Sequence, residues 1–155
     1  YGIKAFHLAA DGSGEQALLV PAGGSRKPAT SETVENKEHF LKMNGKEVFK
    51  FAVTVIPDTV AKTLEKAGME MSDIDLIVPH QANYRIVSGA GKKMNCAEEK
   101  FYMNLNKLGN TSGASIGLAL TEAYENGLVK KGDNLVFVGF GAGLSYASLV
   151  LKWAY

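Results

Sequence analysis

Ile74-Asp75-Leu76-Ile77-Val78-Pro79-His80-Gln81-Ala82-Asn83-Tyr84-Arg85-Ile86 is the stretch that decides the fold. Residues 74–78 form a short apolar run, which predicts a buried strand, and Pro79 stops it. Residues 84–94 then predict a helix, with Lys92 and Lys93 in its last turn, where the helix dipole favours cations. A buried strand that ends in a polar turn and feeds a helix is the repeating unit of an α/β domain.

The neighbouring segments extend that unit. Downstream, residues 100–105 predict a strand, residues 108–113 a tight loop, and residues 115–126 a small-residue helix closed by Gly127. Residues 134–140 are a strongly apolar strand, Gly141-Ala142-Gly143 a turn, and residues 144–153 a last strand. Upstream, Val48, Phe49, Ala52, Val53, Ile56, Val60, Ala61 and Leu64 recur at helical spacing. They predict a helix over residues 46–66 stopped by Gly68. Pro57 inside it predicts a kink or a restart, because proline lacks an N–H and clashes with the preceding turn. Residues 22–36 carry Gly, Ser, Pro, Thr and charge without a period and read as a long surface loop. Residues 17–20 and residues 3–8 read as strands. The chain has no internal repeat and no low-complexity tract.

Composition bounds the function. At 155 residues the chain has the size of one ordinary domain, and 46% hydrophobic residues suffice to close a core. A net charge of +1 argues against a chain built globally to bind nucleic acid or an anionic membrane. No apolar run approaches the roughly 20 residues that span a bilayer. The single cysteine, Cys96, excludes an internal disulfide and a cysteine-based zinc site. It suits a reducing compartment, and a cytoplasmic location is expected. His7, His39 and His80 show no metal-ligand spacing, so no metal is expected. The opening residues lack a signal-peptide pattern and an initiator Met, and begin directly in a strand pattern. The chain is therefore expected to be the later part of something longer.

Three segments share one form, a strand or its loop giving way to small and polar residues: Pro79-His80-Gln81-Ala82-Asn83, Gly109-Asn110-Thr111-Ser112 and Gly141-Ala142-Gly143. Ligand sites in α/β sheets gather beyond the carboxyl ends of strands. A neutral imidazole and a carboxamide are both N–H donors, and two donors aimed at one oxygen stabilise an enolate or oxyanion. Plainer readings stand beside this one: a satisfied strand-end histidine, an asparagine in a turn or cap, and a glycine hairpin. Other motifs fail. Gly139-Phe140-Gly141-Ala142-Gly143 precedes a strand pattern rather than a helix, so it cannot seat a dinucleotide pyrophosphate. Gly91-Lys92 lacks the earlier glycine of a phosphate-binding loop, because position 86 is Ile. Glu98 and Glu99 oppose thiolate formation at Cys96.

Four ordered motifs carry a family resemblance across essentially the whole chain. Val78-Pro79-His80-Gln81-Ala82-Asn83-Tyr84-Arg85-Ile86, Gly109-Asn110-Thr111-Ser112-Gly113-Ala114-Ser115, Gly139-Phe140-Gly141-Ala142-Gly143-Leu144-Ser145-Tyr146 and Gly45-Lys46-Glu47-Val48-Phe49-Lys50 resemble the β-ketoacyl-acyl-carrier-protein synthase III family. The resemblance implies half of a thiolase-like fold with a mixed five-stranded sheet. Residues 1–20 would hold the end of an amino-terminal half and a connecting strand, and residues 21–155 the carboxyl-terminal domain. It implies an acyltransferase of fatty-acid synthesis with a Cys–His–Asn triad, in which His80 and Asn110 match the His and Asn. The nucleophilic Cys of the family lies in the amino-terminal half, so this chain alone is expected to be inactive.

By the same resemblance, the Ala142 N–H helps hold an acyl-thioester oxyanion, although the family turn usually carries glycine there. Gly45, Phe49, Ala52 and Asn83 match positions that line a pantetheine tunnel. Lys50, Arg85, Lys92 and Lys93 match a basic patch for acyl carrier protein. Acyl-CoA and a malonyl carrier protein are the implied substrates, with no cofactor. The implied partners are the amino-terminal half and a second copy in a homodimer. Two alternatives remain: a relative that primes polyketide or secondary-metabolite assembly, and a non-catalytic carrier-protein-binding half.

Overall fold

A computed structural model describes residues 1–155. Its strands and helices are β1 (Gly2–Ala10), β2 (Leu18–Leu19), α1 (Ser31–Glu35), β3 (Lys42–Met43), α2 (Gly45–Ala67), β4 (Leu76–Pro79), α3 (Tyr84–Lys93), α4 (Leu105–Leu108), α5 (Ser115–Glu125), β5 (Asn134–Gly141) and β6 (Ser145–Lys152). Four strands form one mixed sheet in the order β1-β6-β5-β4. β4 and β5 run parallel, and the other two pairings are antiparallel. β2 and β3 form a separate two-stranded ribbon.

The central strands are apolar on both faces because helices cover both. Ile77, Val136, Val138 and Val150 pack with Ala52, Ile56 and Val60 of α2 and Ile86, Val87 and Ala90 of α3. Leu76, Val78 and Leu135 point the other way, onto Ala119 and Ala123 of α5. Alternate residues of one strand thus serve opposite cores, which is the period-two geometry of a doubly covered sheet.

α2 begins at Asn44, whose side chain accepts the Glu47 N–H, and ends at Gly68 in the left-handed region with φ 64°. It continues through Pro57 as one helix. Ile56 and Val60, on either side of the proline, both sit in the core, so packing holds the two segments together. The buried hydroxyls of Thr59 and Thr63 bond to Ser148 of β6, and His7 Nδ1 lies 3.0 Å from Thr59 Oγ1, which ties α2 to the sheet.

The sheet has four strands where five were expected. Over residues 100–105 only a single parallel bridge forms, between Ile77 and Phe101. The Tyr102 N–H donates to the Ile77 carbonyl, but the Tyr102 carbonyl and the Asn104 N–H bond to the Gln81 side chain instead of a strand. The ladder therefore stops after one step. The apolar run at 17–20 shortens to a two-residue strand outside the main sheet. The segment 22–36, read as loop, contains α1, set by a reciprocal capping box between Thr30 and Thr33. β1 pairs with β6 along its length and forms one edge of the sheet. No helix is long and apolar enough to cross a membrane.

Ile77 is fully buried between the sheet and the α2–α3 layer. Ile77→Ala should lower the unfolding free energy by about 2–5 kcal/mol, the usual cost of a core cavity. Urea titration of the purified protein reads this as a lower midpoint at unchanged slope.

Candidate active site

β4 ends at Pro79, and the chain turns at once. The His80 N–H donates to the Val138 carbonyl at 2.8 Å and the Ala82 N–H to the His80 carbonyl at 2.9 Å. His80 is thereby held at the carboxyl end of the two parallel strands, where such sheets open their ligand crevices. Gln81 points the opposite way and is 1% exposed. Its Nε2 donates to the Pro79 and Tyr102 carbonyls, and its Oε1 accepts the Asn104 N–H at 3.0 Å. One buried amide thus joins the end of β4 to the segment that leads to Asn110. Asn104 is anchored in turn: its Nδ2 donates to Glu122, which also pairs with Lys107. The Lys107 bond and then the Asn104 bond hold the Glu122 carboxyl below its ordinary pKa.

The loop after α4 places Asn110. Its Oδ1 accepts the Ser112 N–H at 2.9 Å. The oxygen side of the amide is therefore occupied, and Nδ2 makes no hydrogen bond within the chain. The third segment follows β5. Gly143 has φ 128°, and a Cβ there would meet Ser145 Oγ at 2.6 Å, so this position needs glycine. Ala142 has a negative φ, so its methyl group adds no backbone strain. The turn is anchored below by Leu144, which is buried and exchanges two backbone hydrogen bonds with Asp11 at 2.7 and 2.9 Å.

These three segments converge on one cavity of about 640 Å³. His80, Asn110 and Ala142 all line it, together with Gly45 and Phe49 of α2 and Asn83 at the start of α3. Leu18 and Met43, from the two-stranded ribbon, supply an apolar side. Ala52, one turn further along α2, is fully buried and belongs to the same core cluster as Ile86 of the cavity wall. Lys50, Arg85, Lys92 and Lys93 are exposed on α2 and α3, which pack side by side, and none of them is in an ion pair. Cys96 does not reach this cavity. It lines a smaller one behind α3, and burial pushes its thiol pKa up.

His80 is half-buried, and desolvation lowers its pKa from the ordinary value of 6.5. The neutral ring is therefore the resting form at neutral pH. Its Nδ1 lies 2.6 Å from Ser115 Oγ, and the Phe140 ring stands edge-on to it at 5.6 Å. Nε2 has no partner within the chain. Ser115, Gln81 and Phe140 were quoted in the motifs but assigned no role. The signal for Gln81 is a polar side chain two residues after a strand-ending proline, on the side opposite to His80. For Ser115 it is a hydroxyl at the predicted start of a helix.

The His80 ring should titrate with a midpoint below 6.5, followed by NMR of labelled histidine. As pH falls through 6.5, the unfolded chain takes up a proton at this residue before the folded one does. The group therefore removes stability on the acid side and has no effect above that range.

Comparison with known proteins agrees with this geometry. Residues 64–153 match the family model described as 3-oxoacyl-[acyl-carrier-protein (ACP)] synthase III C terminal. The chain is 52% identical over 155 residues to the β-ketoacyl-[acyl-carrier-protein] synthase III of Fusobacterium nucleatum, covering all of this chain and 47% of that protein. The crystal structure of the synthase III from Thermus thermophilus superposes with a TM-score of 0.86 at 41% identity, over 99% of this chain and 47% of that one. The priming β-ketosynthase of the R1128 polyketide pathway superposes at 0.85 with 34% identity, over 99% and 45%. The chain thus spans about half the length of the curated relatives it matches. With a thiolase-like half-fold, a matching carboxyl-terminal model and half of its residues identical to such relatives, the chain belongs to the 3-oxoacyl-[acyl-carrier-protein] synthase III family.

Proposed function

We propose that this chain forms the carboxyl-terminal half of a condensing enzyme that joins an acyl primer from acyl-CoA to malonyl-acyl carrier protein. In this reading residues 1–20 bring the chain over from the other half, and residues 21–155 carry the His–Asn pair. One observation carries the proposal: His80 and Asn110, from separate loops, line one cavity, with His80 Nδ1 against Ser115 Oγ and Asn110 Oδ1 accepting the Ser112 N–H, so that His80 Nε2 and Asn110 Nδ2 are the ring and amide nitrogens without a partner in the chain.

The primer is first held as a thioester on a cysteine supplied by the other half. Cys96 does not fit that role, since it lies outside the cavity with a raised pKa. Malonyl carrier protein then binds with its thioester carbonyl toward His80 Nε2–H and Asn110 Nδ2–H. The bond from the malonyl carbon to its carboxylate breaks and releases CO₂. The electron pair passes to the thioester oxygen as an enolate, which the two donors stabilise. That carbon attacks the carbonyl of the acyl-cysteine, the Ala142 N–H holds the resulting oxyanion, and the cysteine leaves as thiolate. Each well-aimed donor contributes about 10²–10³ in rate. No cofactor is required beyond the two thioesters.

Gly45, Phe49 and Asn83 would line the path of the pantetheine arm. The Asn83 side chain is steadied by accepting the Arg85 N–H at 2.8 Å. Lys50, Arg85, Lys92 and Lys93 form a cationic rim suited to an acidic carrier protein. A local patch of this kind steers a charged partner even when net charge is near zero.

Two outcomes are expected in the complete enzyme. His80→Ala should reduce malonyl decarboxylation by about 10²-fold or more while acyl loading from radiolabelled acetyl-CoA stays measurable. Lost loading with normal decarboxylation would reverse the assigned roles. Arg85→Glu should raise KM for malonyl carrier protein by about tenfold and spare acyl-CoA use. Equal effects on both substrates would remove the docking assignment.

A further inference from the structure

Ser115 is the first residue of α5, one position past the N-cap Ala114, where a hydroxyl can still turn toward the free N–H groups of the helix start. Here it does not: α5 has no side-chain cap, and Ser115 is 1% exposed. Its hydroxyl turns instead toward the loop after β4. The Gln81 N–H donates to Ser115 Oγ at 3.3 Å, and His80 Nδ1 lies 2.6 Å from the same oxygen. A backbone N–H can only donate, so Oγ is the acceptor in the first contact. The hydroxyl then holds one proton of its own, and His80 Nδ1 is the only acceptor within reach. A buried hydroxyl proton left without an acceptor costs about 1–3 kcal/mol. The arrangement that satisfies every group has Ser115 donating to an unprotonated Nδ1.

We propose that Ser115 is a positioning residue that confines the ring proton of His80 to Nε2, so that the histidine meets the cavity as a hydrogen-bond donor. This rests on the role given to His80 above and adds what enforces it. The partner is neutral, and its chemistry matters. A carboxylate at Nδ1 would hold a proton there and favour an imidazolium, the setting of a general base. A hydroxyl that donates favours the neutral ring with the opposite tautomer. Burial of the ring acts in the same direction. Phe140, edge-on at 71° to the imidazole, closes another side and opposes ring rotation.

The test uses the complete enzyme with ¹⁵N-labelled histidine, the His80 signals being assigned by their loss in His80→Gln. In the native protein Nδ1 should show the unprotonated signature and Nε2 the protonated one. In Ser115→Ala both tautomers should populate. Malonyl decarboxylation should fall about tenfold, less than on outright loss of a donor. The acid limb of its pH profile should move to higher pH, because the neutral ring has lost a hydrogen bond. Acyl loading should be unchanged. Ser115→Thr, which keeps the hydroxyl, should restore tautomer and rate. A native ring protonated at Nδ1 overturns the proposal, and so does a Ser115→Ala enzyme with unchanged tautomer, rate and acid limb. The native tautomer is readable even if the alanine variant does not fold. Failure of the underlying functional reading shows separately, as His80→Ala leaving decarboxylation intact.

Discussion

The site depends on a single buried amide. Gln81 lies between the end of β4 and the segment running to Asn110, and it satisfies three backbone groups that no neighbouring strand reaches. Two carbonyls and one N–H at the edge of a sheet would otherwise sit in the protein interior without partners, at a cost of about 1–3 kcal/mol each. By supplying all three bonds, Gln81 ends the ladder after Phe101 and fixes the separation between the two loops that carry His80 and Asn110. The same bonds account for the missing fifth strand and for the convergence of the two donors. Fold and site share this one constraint.

Much of the fold is legible in the residues. The apolar runs at 76–78 and 135–138 announce strands buried on both faces, and the helical spacing from Val48 to Leu64 announces α2. What escapes reading has a physical cause in each case. Residues 100–105 have strand composition, but their backbone partner is a side chain 21 positions away in the chain, which periodicity cannot register. α1 is five residues long, held by two reciprocal threonine bonds rather than an apolar face. At the site, the motifs lead to His80, Asn110 and the glycine turn. Ser115 and Gln81 escape because their contacts depend on which way a loop folds back.

The electrostatics favour donors over acids and bases. His80 is kept neutral by burial, its Nδ1 faces a hydroxyl, and no carboxylate bonds to it. Asn110 cannot ionise, and its oxygen is held by a backbone N–H. The cavity therefore presents fixed dipoles rather than titrating charges. Such a site needs no reorganisation when negative charge develops on a bound oxygen, which is what makes fixed dipoles effective in a partly dry pocket. The cations stay outside on α2 and α3, exposed to water, where they act at a distance without disturbing the neutral interior.

The turn after β5 sets different rules for two neighbouring residues. Ala142 has an ordinary backbone conformation with its methyl group tolerated, whereas Gly143 sits at φ 128° with Ser145 Oγ where a side chain would begin. Mutational drift is therefore open at the first position and closed at the second. The cavity lip can be narrowed, one methyl group at a time, while the path of the backbone beneath it stays invariant. A turn of that kind can change the shape of the cavity mouth without moving the backbone N–H that lines it.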